Sequence, residues 1–290
     1  RDSSTSRGLG DVYKRQVMSL TSCVKDDLYN TPHPDKGAVV ITTDWTEALA
    51  ESTVPDTYLL RMDDGKAVQA SEETTIYPDL LAPGAHTLLI YNEPEGITVE
   101  GNTASIDLKD GMLVPLPDYL FSAEKQLDVM QDDTLRITIP MQRRLCPIIL
   151  NLDLNGENAD EIARIEATLS GMAGSVDLRT GTPGSESLTA RLDVRLTEVK
   201  TRATAGNEVE MKCRVTGTAQ GERQILTVKV TMEDGQVSTI TSDLTENLKD
   251  LNADMEPVRL EGSIEAPQDG NFSGTIKDWD VVSGDDIDAN

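Results

Sequence analysis

The chemistry this chain offers begins at one thiol. Leu20-Thr21-Ser22 directly precede Cys23. Small residues at the two positions before a cysteine form a lipobox, because a peptidase must reach the bond ahead of the acylated thiol. Cleavage there makes the cysteine the first residue of a mature protein, and its acyl chains hold that end to a membrane at about 0.8 kcal/mol per buried CH₂. Cys23 lies near the N-terminus, and a polar, acidic stretch follows it, Val24 to Lys36, VKDDLYNTPHPDK. That context favours lipidation over a chance buried or solvated cysteine. We therefore expect Cys23 to be the membrane anchor and residues 24–36 its tether.

Elsewhere the residues that could do chemistry are scattered. The chain has two histidines, His33 and His86. His33 stands between Pro32 and Pro34, which keep it extended, and it reads as a solvated linker residue. His86 falls in a strand-like alternation and reads as a structural or exposed histidine. No Ser-His-Asp constellation, nucleophile elbow, P-loop or dinucleotide fingerprint is present. Cys146 and Cys213 lack metal-ligand spacing. Asp63-Asp64, Asp132-Asp133 and Asp285-Asp286-Asp288 could each take a calcium ion, but none follows the twelve-residue calcium loop. With 51 acidic residues in the chain, solvated carboxylates are the expected background, and nothing selects a catalytic pair. We expect no enzyme, no cofactor and no metal site.

Composition narrows the class further. A net charge of −25 disfavours nucleic acid and anionic headgroups as partners and suits a solvated, exported protein. Aromatic residues are 3%, so the cores must be built from Leu, Ile and Val. No run of about eighteen apolar residues could span a membrane as a helix. Three cysteines are an odd count; lipidation of Cys23 resolves it and leaves Cys146 and Cys213, which could pair or stay as buried thiols.

The elements that must position these residues are strands. Residues 1–16, RDSSTSRGLGDVYKRQ, lack the apolar h-region of a signal peptide and resemble translated adapter sequence; only Val17 to Leu20 look like a signal-peptide remnant. We expect residues 1–22 to lie outside the fold. From Gly37 apolar residues recur with period two, as at Val39, Ile41 and Thr43, then at Tyr58, Leu60 and Met62 before the turn signal Asp63-Asp64-Gly65. Further short strands run through His86–Asn92 to Met112–Val114. Residues 37–124 read as one β-sandwich. Pro115, Pro117 and the polar Ser122 to Gln126 mark a boundary, and residues 125–290 read as a second. Its strands include Cys146–Leu154, Leu192–Leu196, Val209–Val215, Leu226–Met232, Val258–Ile264 and Phe272–Trp279. The segment Ile162–Leu169 fits helix or strand, and we read it as strand. One short helix is expected where Asp243 and Glu246 make a capping box and Leu244, Leu248 and Leu251 keep helical spacing. Cys146 shares its face with Ile148 and Leu150, and Cys213 with Met211 and Val215, so both should point into the second core.

These residues also carry a resemblance. Cys23 with its acidic linker, His33-Pro34-x-x-Gly37-x-Val39-x-Ile41-x-x-Asp44-Trp45, Leu81-x-Pro83-Gly84 before a strand ending Tyr91-Asn92, Leu169 to Ser175 (LSGMAGS) and Gly274-x-Ile276-x-Asp278-Trp279 together resemble the FimB-type fimbrial subunits of Bacteroidales. The resemblance runs from about Leu20 to the end, on turn and core residues with no catalytic signature. It implies two tandem Greek-key, transthyretin-like sandwiches in a cell-surface lipoprotein of the outer membrane. Such a protein would act as a fimbrial anchor or accessory subunit, adhesive and structural. Its partner would be a fimbrial shaft subunit, met by β-strand addition. Within that reading the strands to be exchanged are the terminal ones, Gly37–Trp45 or Phe272–Trp279. The rival reading is a surface glycan-binding lipoprotein of a nutrient-uptake system, which an exposed cluster around Trp45 and Trp279 would favour. A lipid-anchored hydrolase would need paired carboxylates across a cleft.

Overall fold

The computed structural model describes residues 35–46, 52, 54–155, 161–200, 205–253, 255–265 and 277–281. Its strands follow in chain order. The first nine are β1 (Ala38–Asp44), β2 (Tyr58–Met62), β3 (Val68–Ala70), β4 (Thr74–Ile76), β5 (Gly84–Tyr91), β6 (Ile97–Glu100), β7 (Thr103–Ile106), β8 (Leu108–Lys109) and β9 (Met112–Leu113). The middle of the chain gives β10 (Phe121–Val129), β11 (Thr134–Pro140), β12 (Gln142–Arg143), β13 (Cys146–Asn155), β14 (Ile162–Ala173), β15 (Ser175–Asp177) and β16 (Ser187–Arg191). The last are β17 (Asp193–Lys200), β18 (Ala205–Val215), β19 (Ile225–Met232), β20 (Val237–Asp243), β21 (Val258–Glu265) and β22 (Lys277–Val281).

They form two sandwiches, as the alternating pattern predicts. In the first, a three-stranded sheet β11-β1-β4 faces a five-stranded sheet β12-β10-β5-β2-β3. Val39 and Ile41, Leu60 and Met62, Leu88 and Ile90, Leu127 and Val129 meet between them. In the second, β17-β18-β13-β21-β22 faces β20-β19-β14-β16-β9-β8. There Ile148, Leu150 and Leu152 meet Met211 and Cys213, Leu226 and Val228, and Ile240. A further sheet, β15-β7-β6, contributes Ile97, Ala104, Ile106 and Val176 to the second core. Segment 162–173 is strand, with a register shift between Leu169 and Met172. Gly171 sits in that shift at φ +75°, a conformation glycine adopts freely, and an added Cβ would run into the Arg223 carbonyl.

Residue 124 lies in the middle of β10, and the sheets divide elsewhere. β11 and β12 pair with β1 and β10 of the first sandwich, whereas β6 to β9 join sheets over the second core. The prolines at 115 and 117 mark a break in local structure, but strand partners are chosen by long-range pairing. β5 explains the join. Its apolar run buries both faces, Leu88 and Ile90 toward the first core, Leu89 and Tyr91 toward the second.

The expected helix is absent from the described residues; 245–253 form consecutive turns. Asp243 Oδ1 does accept from the Thr245 amide at 3.0 Å and its hydroxyl at 2.5 Å. Leu248 N donates to Leu244 O, one helix-like bond, but Leu251 N and Ala253 N return to the residue three back. The leucines that mimic helical spacing are all buried over the open end of the second core, so core filling produced that spacing.

Candidate partner-binding edges

Cys23, His33 and the tether through residue 34 lie outside the described residues, as do 272–276 and the acidic tail. What the fold does place are the strand edges, the buried thiols, His86 and the aromatic residues.

The two terminal strands differ. β1 is central, paired in parallel with β11 from Ala38↔Thr134 to Asp44↔Pro140 and antiparallel with β4. The expectation that Gly37–Trp45 offers a displaceable edge is therefore corrected. β11, some ninety residues later in the chain, covers the side on which β1 would otherwise be open. β22 is an edge strand, paired only with β21 among the described residues and through a register irregularity between Glu261 and Ser263. Trp279 holds it down. The ring packs against the second core, and Nε1 donates to Ser242 Oγ on β20 at 2.9 Å. β22 and β20, edges of the two facing sheets, thus flank the same side of the sandwich.

His86 is a structural clasp. Nδ1 meets Asp63 Oδ2 at 2.5 Å and Nε2 meets the Ala82 carbonyl at 2.7 Å, while Asp63 Oδ1 accepts from Thr87 N at 2.7 Å. With an acceptor on each ring nitrogen the imidazolium is favoured. The Asp63 hydrogen bond raises the His86 pKa against the opposing pull of burial. Burial alone would raise Asp63, but hydrogen bonds from His86 and Thr87 outweigh it and its pKa is lowered. Asp63 and Asp64, at φ 50° and 57°, form the left-handed pair of a tight hairpin turn. The aspartates of this turn serve the turn itself, and among the described residues no group of acidic, His or Cys side chains is arranged for a metal ion.

Cys146 and Cys213 are both buried in the second core, with no disulfide between them. Cys146 lies opposite Val215, and Cys213 opposite Ile148, so the thiols share a face on a diagonal. Cys146 Sγ donates to the Glu256 carbonyl at 3.0 Å. Desolvation, reinforced by the neighbouring Cys146, pushes the Cys213 thiol up to about 12, far from a reactive thiolate.

Among the described residues the aromatic rings build no platform. Trp45 meets Phe121 edge-on at 5.4 Å and Tyr58 at 6.0 Å, at the margin of the first core.

Sequence reasoning missed the arginines that join the sandwiches. Arg144 is buried at the junction. Nε donates to Ser122 Oγ at 2.6 Å, and Ser122 Oγ donates onward to the Leu178 carbonyl at 2.6 Å. Gly181, at φ +74°, lets its turn close over that guanidinium, where a Cβ would collide with Nη1. Burial lowers the Arg144 pKa and nearby Asp177 opposes that shift; the guanidinium stays charged in any case. Arg61 reaches the Gly101 carbonyl and Asn102, Arg143 the Met255 carbonyl, Arg179 pairs with Glu124, and Arg214 caps the Tyr119 ring at 4.1 Å. Arg143-Arg144 flanked by apolar residues was the available signal, since adjacent charges inside an apolar run require buried partners.

The model of one family, the fimbrillin-A associated anchor proteins Mfa1 and Mfa2, matches residues 30–285. No curated protein sequence matches. Among solved structures, a candidate adhesin from Bacteroides ovatus aligns with a TM-score of 0.60 at 19% identity, covering 88% of this chain and 97% of that one. The fimbrial anchor protein Mfa2 from Porphyromonas gingivalis aligns at 0.54 and 12% identity, covering 78% and 91%. A candidate polysaccharide-binding protein from Bacteroides thetaiotaomicron aligns at 0.53 and 10%, covering 79% and 92%. At these identities the structures show a common fold.

Proposed function

This chain belongs to the fimbrillin-A associated anchor proteins, and from that membership we propose that it is a lipid-anchored outer-membrane subunit that holds a fimbrial shaft at the cell surface. The observation that carries the reading is the family match, which spans both sandwiches. Cys23 supplies the anchor, residues 24–36 the tether, and the sandwiches the docking body. The partner is a fimbrial shaft subunit, received as an added strand at an open sheet edge. A protein with few exposed aromatic anchors gains affinity most directly from backbone pairing. The family is one of fimbrial anchors and not of enzymes, and the scattered histidines and carboxylates accord with that. Glycan binding is the weaker reading, because Trp45 and Trp279 each pack within the protein and form no exposed stacking face.

The test expresses the protein behind a functional lipoprotein signal peptide and follows labelled fatty acid. The wild-type protein is expected in the outer-membrane fraction, labelled and co-purifying with shaft. Cys23→Ser should be unlabelled and released or unprocessed. A Ser variant that stays labelled and membrane-bound would overturn the anchor assignment.

A further inference from the structure

Natural sheets protect their open edges with short strands, charges, prolines or bulges, because an unprotected edge pairs with any extended chain. Most edges here follow that rule. β3, β4, β8, β12 and β15 span two or three residues each. β11 contains Arg136 and ends in Pro140. β17 reads DVRLTEVK and β22 reads KDWDV, each with several charges. β20 does not follow it. Its sequence, VSTITSD, carries no charge before Asp243, and no proline or glycine. Asp243 is itself engaged by Arg223. The strand alternates strictly, with Val237, Thr239 and Thr241 exposed and Ser238, Ile240 and Ser242 buried. Its ladder to β19 runs without a shift from Ile225↔Asp243 to Thr231↔Val237, so no bulge bends it away. Among the described residues β19 is its one strand partner.

We propose that β20 is the docking edge of the second sandwich, and that its occupant is an extended, uncharged, β-branched segment of another protein, flanked by basic residues. The inference rests on the strand-addition reading above and assigns it a place. Charge selects the occupant. Glu233 and Asp234 lead into β20, whereas at its other end Asp243 pairs with Arg223 and Glu246 lies beside Lys249. A second copy would bring two chains of net charge −25 edge to edge. A basic flank would instead meet Glu233 and Asp234. Inward residues of the added strand would lie beside Trp279, which already bonds to Ser242 across the gap between the facing sheets.

The probe is a synthetic peptide, KKTVTVTVTKK, with KKTVTPTVTKK as its broken counterpart, added to the full chain carrying Trp45→Phe so that Trp279 reports alone. Saturable binding with a Trp279 fluorescence change and slowed amide exchange confined to β20 is expected for the first peptide, at least tenfold weaker for the second. Thr239→Lys with Thr241→Lys, both at exposed positions, should weaken binding at least tenfold with the melting profile unchanged. Lack of saturable binding, protection on β11, β17 or β22 instead, or a dimer of the full chain that the lysine pair dissolves, would each overturn the proposal. The outcome separates from that of the anchor reading. Shaft capture with protection away from β20 leaves the anchor and removes this edge, whereas peptide protection of β20 without any shaft capture leaves the edge and removes the anchor.

Discussion

The two sandwiches solve the same problem with different residues. The first buries Tyr58, Tyr77, Tyr119 and Phe121, with Trp45 set edge-on against two of them. The second is almost wholly aliphatic, with Tyr91 at its border and Trp279 at its rim. In the first, the open edges are short or end in proline; the second keeps long ones. Rings with fixed edge-on geometry suit a core that has no strand to gain. Aliphatic layers under long edges suit one that can extend its sheets. The difference leaves the longer uncovered strands on the second sandwich.

The comparison breaks most visibly at Phe121. Phe121→Ala removes a fully buried ring and one of the two rings that Trp45 meets, and should cost about 3–5 kcal/mol. Thermal unfolding followed by Trp45 fluorescence, with Trp279→Phe as background, should show the loss in the first sandwich. If the second sandwich melts with it, the arginine junction makes the two a single cooperative unit. Leu248→Ala tests the other core, where the turn run plugs an open end. About 2–4 kcal/mol should be lost, and amide exchange in β19 and β20 should quicken while the first sandwich holds. A loss below about 0.5 kcal/mol would mean that the plug is dispensable and the core closes beneath it.

The smallest effect sharpens the comparison within the first sandwich. The His86–Asp63 clasp contributes fully below the ordinary histidine value of 6.5, and is lost as pH rises through the raised His86 pKa. Asp63, lowered from 3.8, stays charged until pH falls below that value. The contribution therefore spans the interval between the two, on the order of 0.5 kcal/mol for a pair this exposed. His86→Gln should flatten the stability profile between mildly acid and mildly alkaline pH. An unchanged profile would show that the clasp adds nothing.

Much of this was readable from period two alone. β13, β18 and β19 bury the residues that the alternation assigns, and Cys146 and Cys213 point inward as their neighbours require. The unread part is non-local. Nothing near Ala38 announces that Thr134 is its partner, and nothing in Ser122 to Gln126, polar on one face, marks the middle of a strand that pairs with β5. The leucines after Asp243 satisfied a helical template because turns over a core can bury the same positions. The site was least legible, since an open edge is defined by what fails to pair with it. β20 reads locally like any other strand.

The parallel pairing of β1 with β11 has a bearing on how the chain is made. Each sandwich sets an early strand beside one that follows roughly a hundred residues later, β1 beside β11 and β13 beside β21, and such closures are entropically slow. A chain that crosses a membrane N-terminus first would therefore deliver β1 long before its neighbour arrives. Until β11 emerges, β1 is an apolar strand with a bare flank, the species most exposed to misassembly and to chaperones that recognise extended segments.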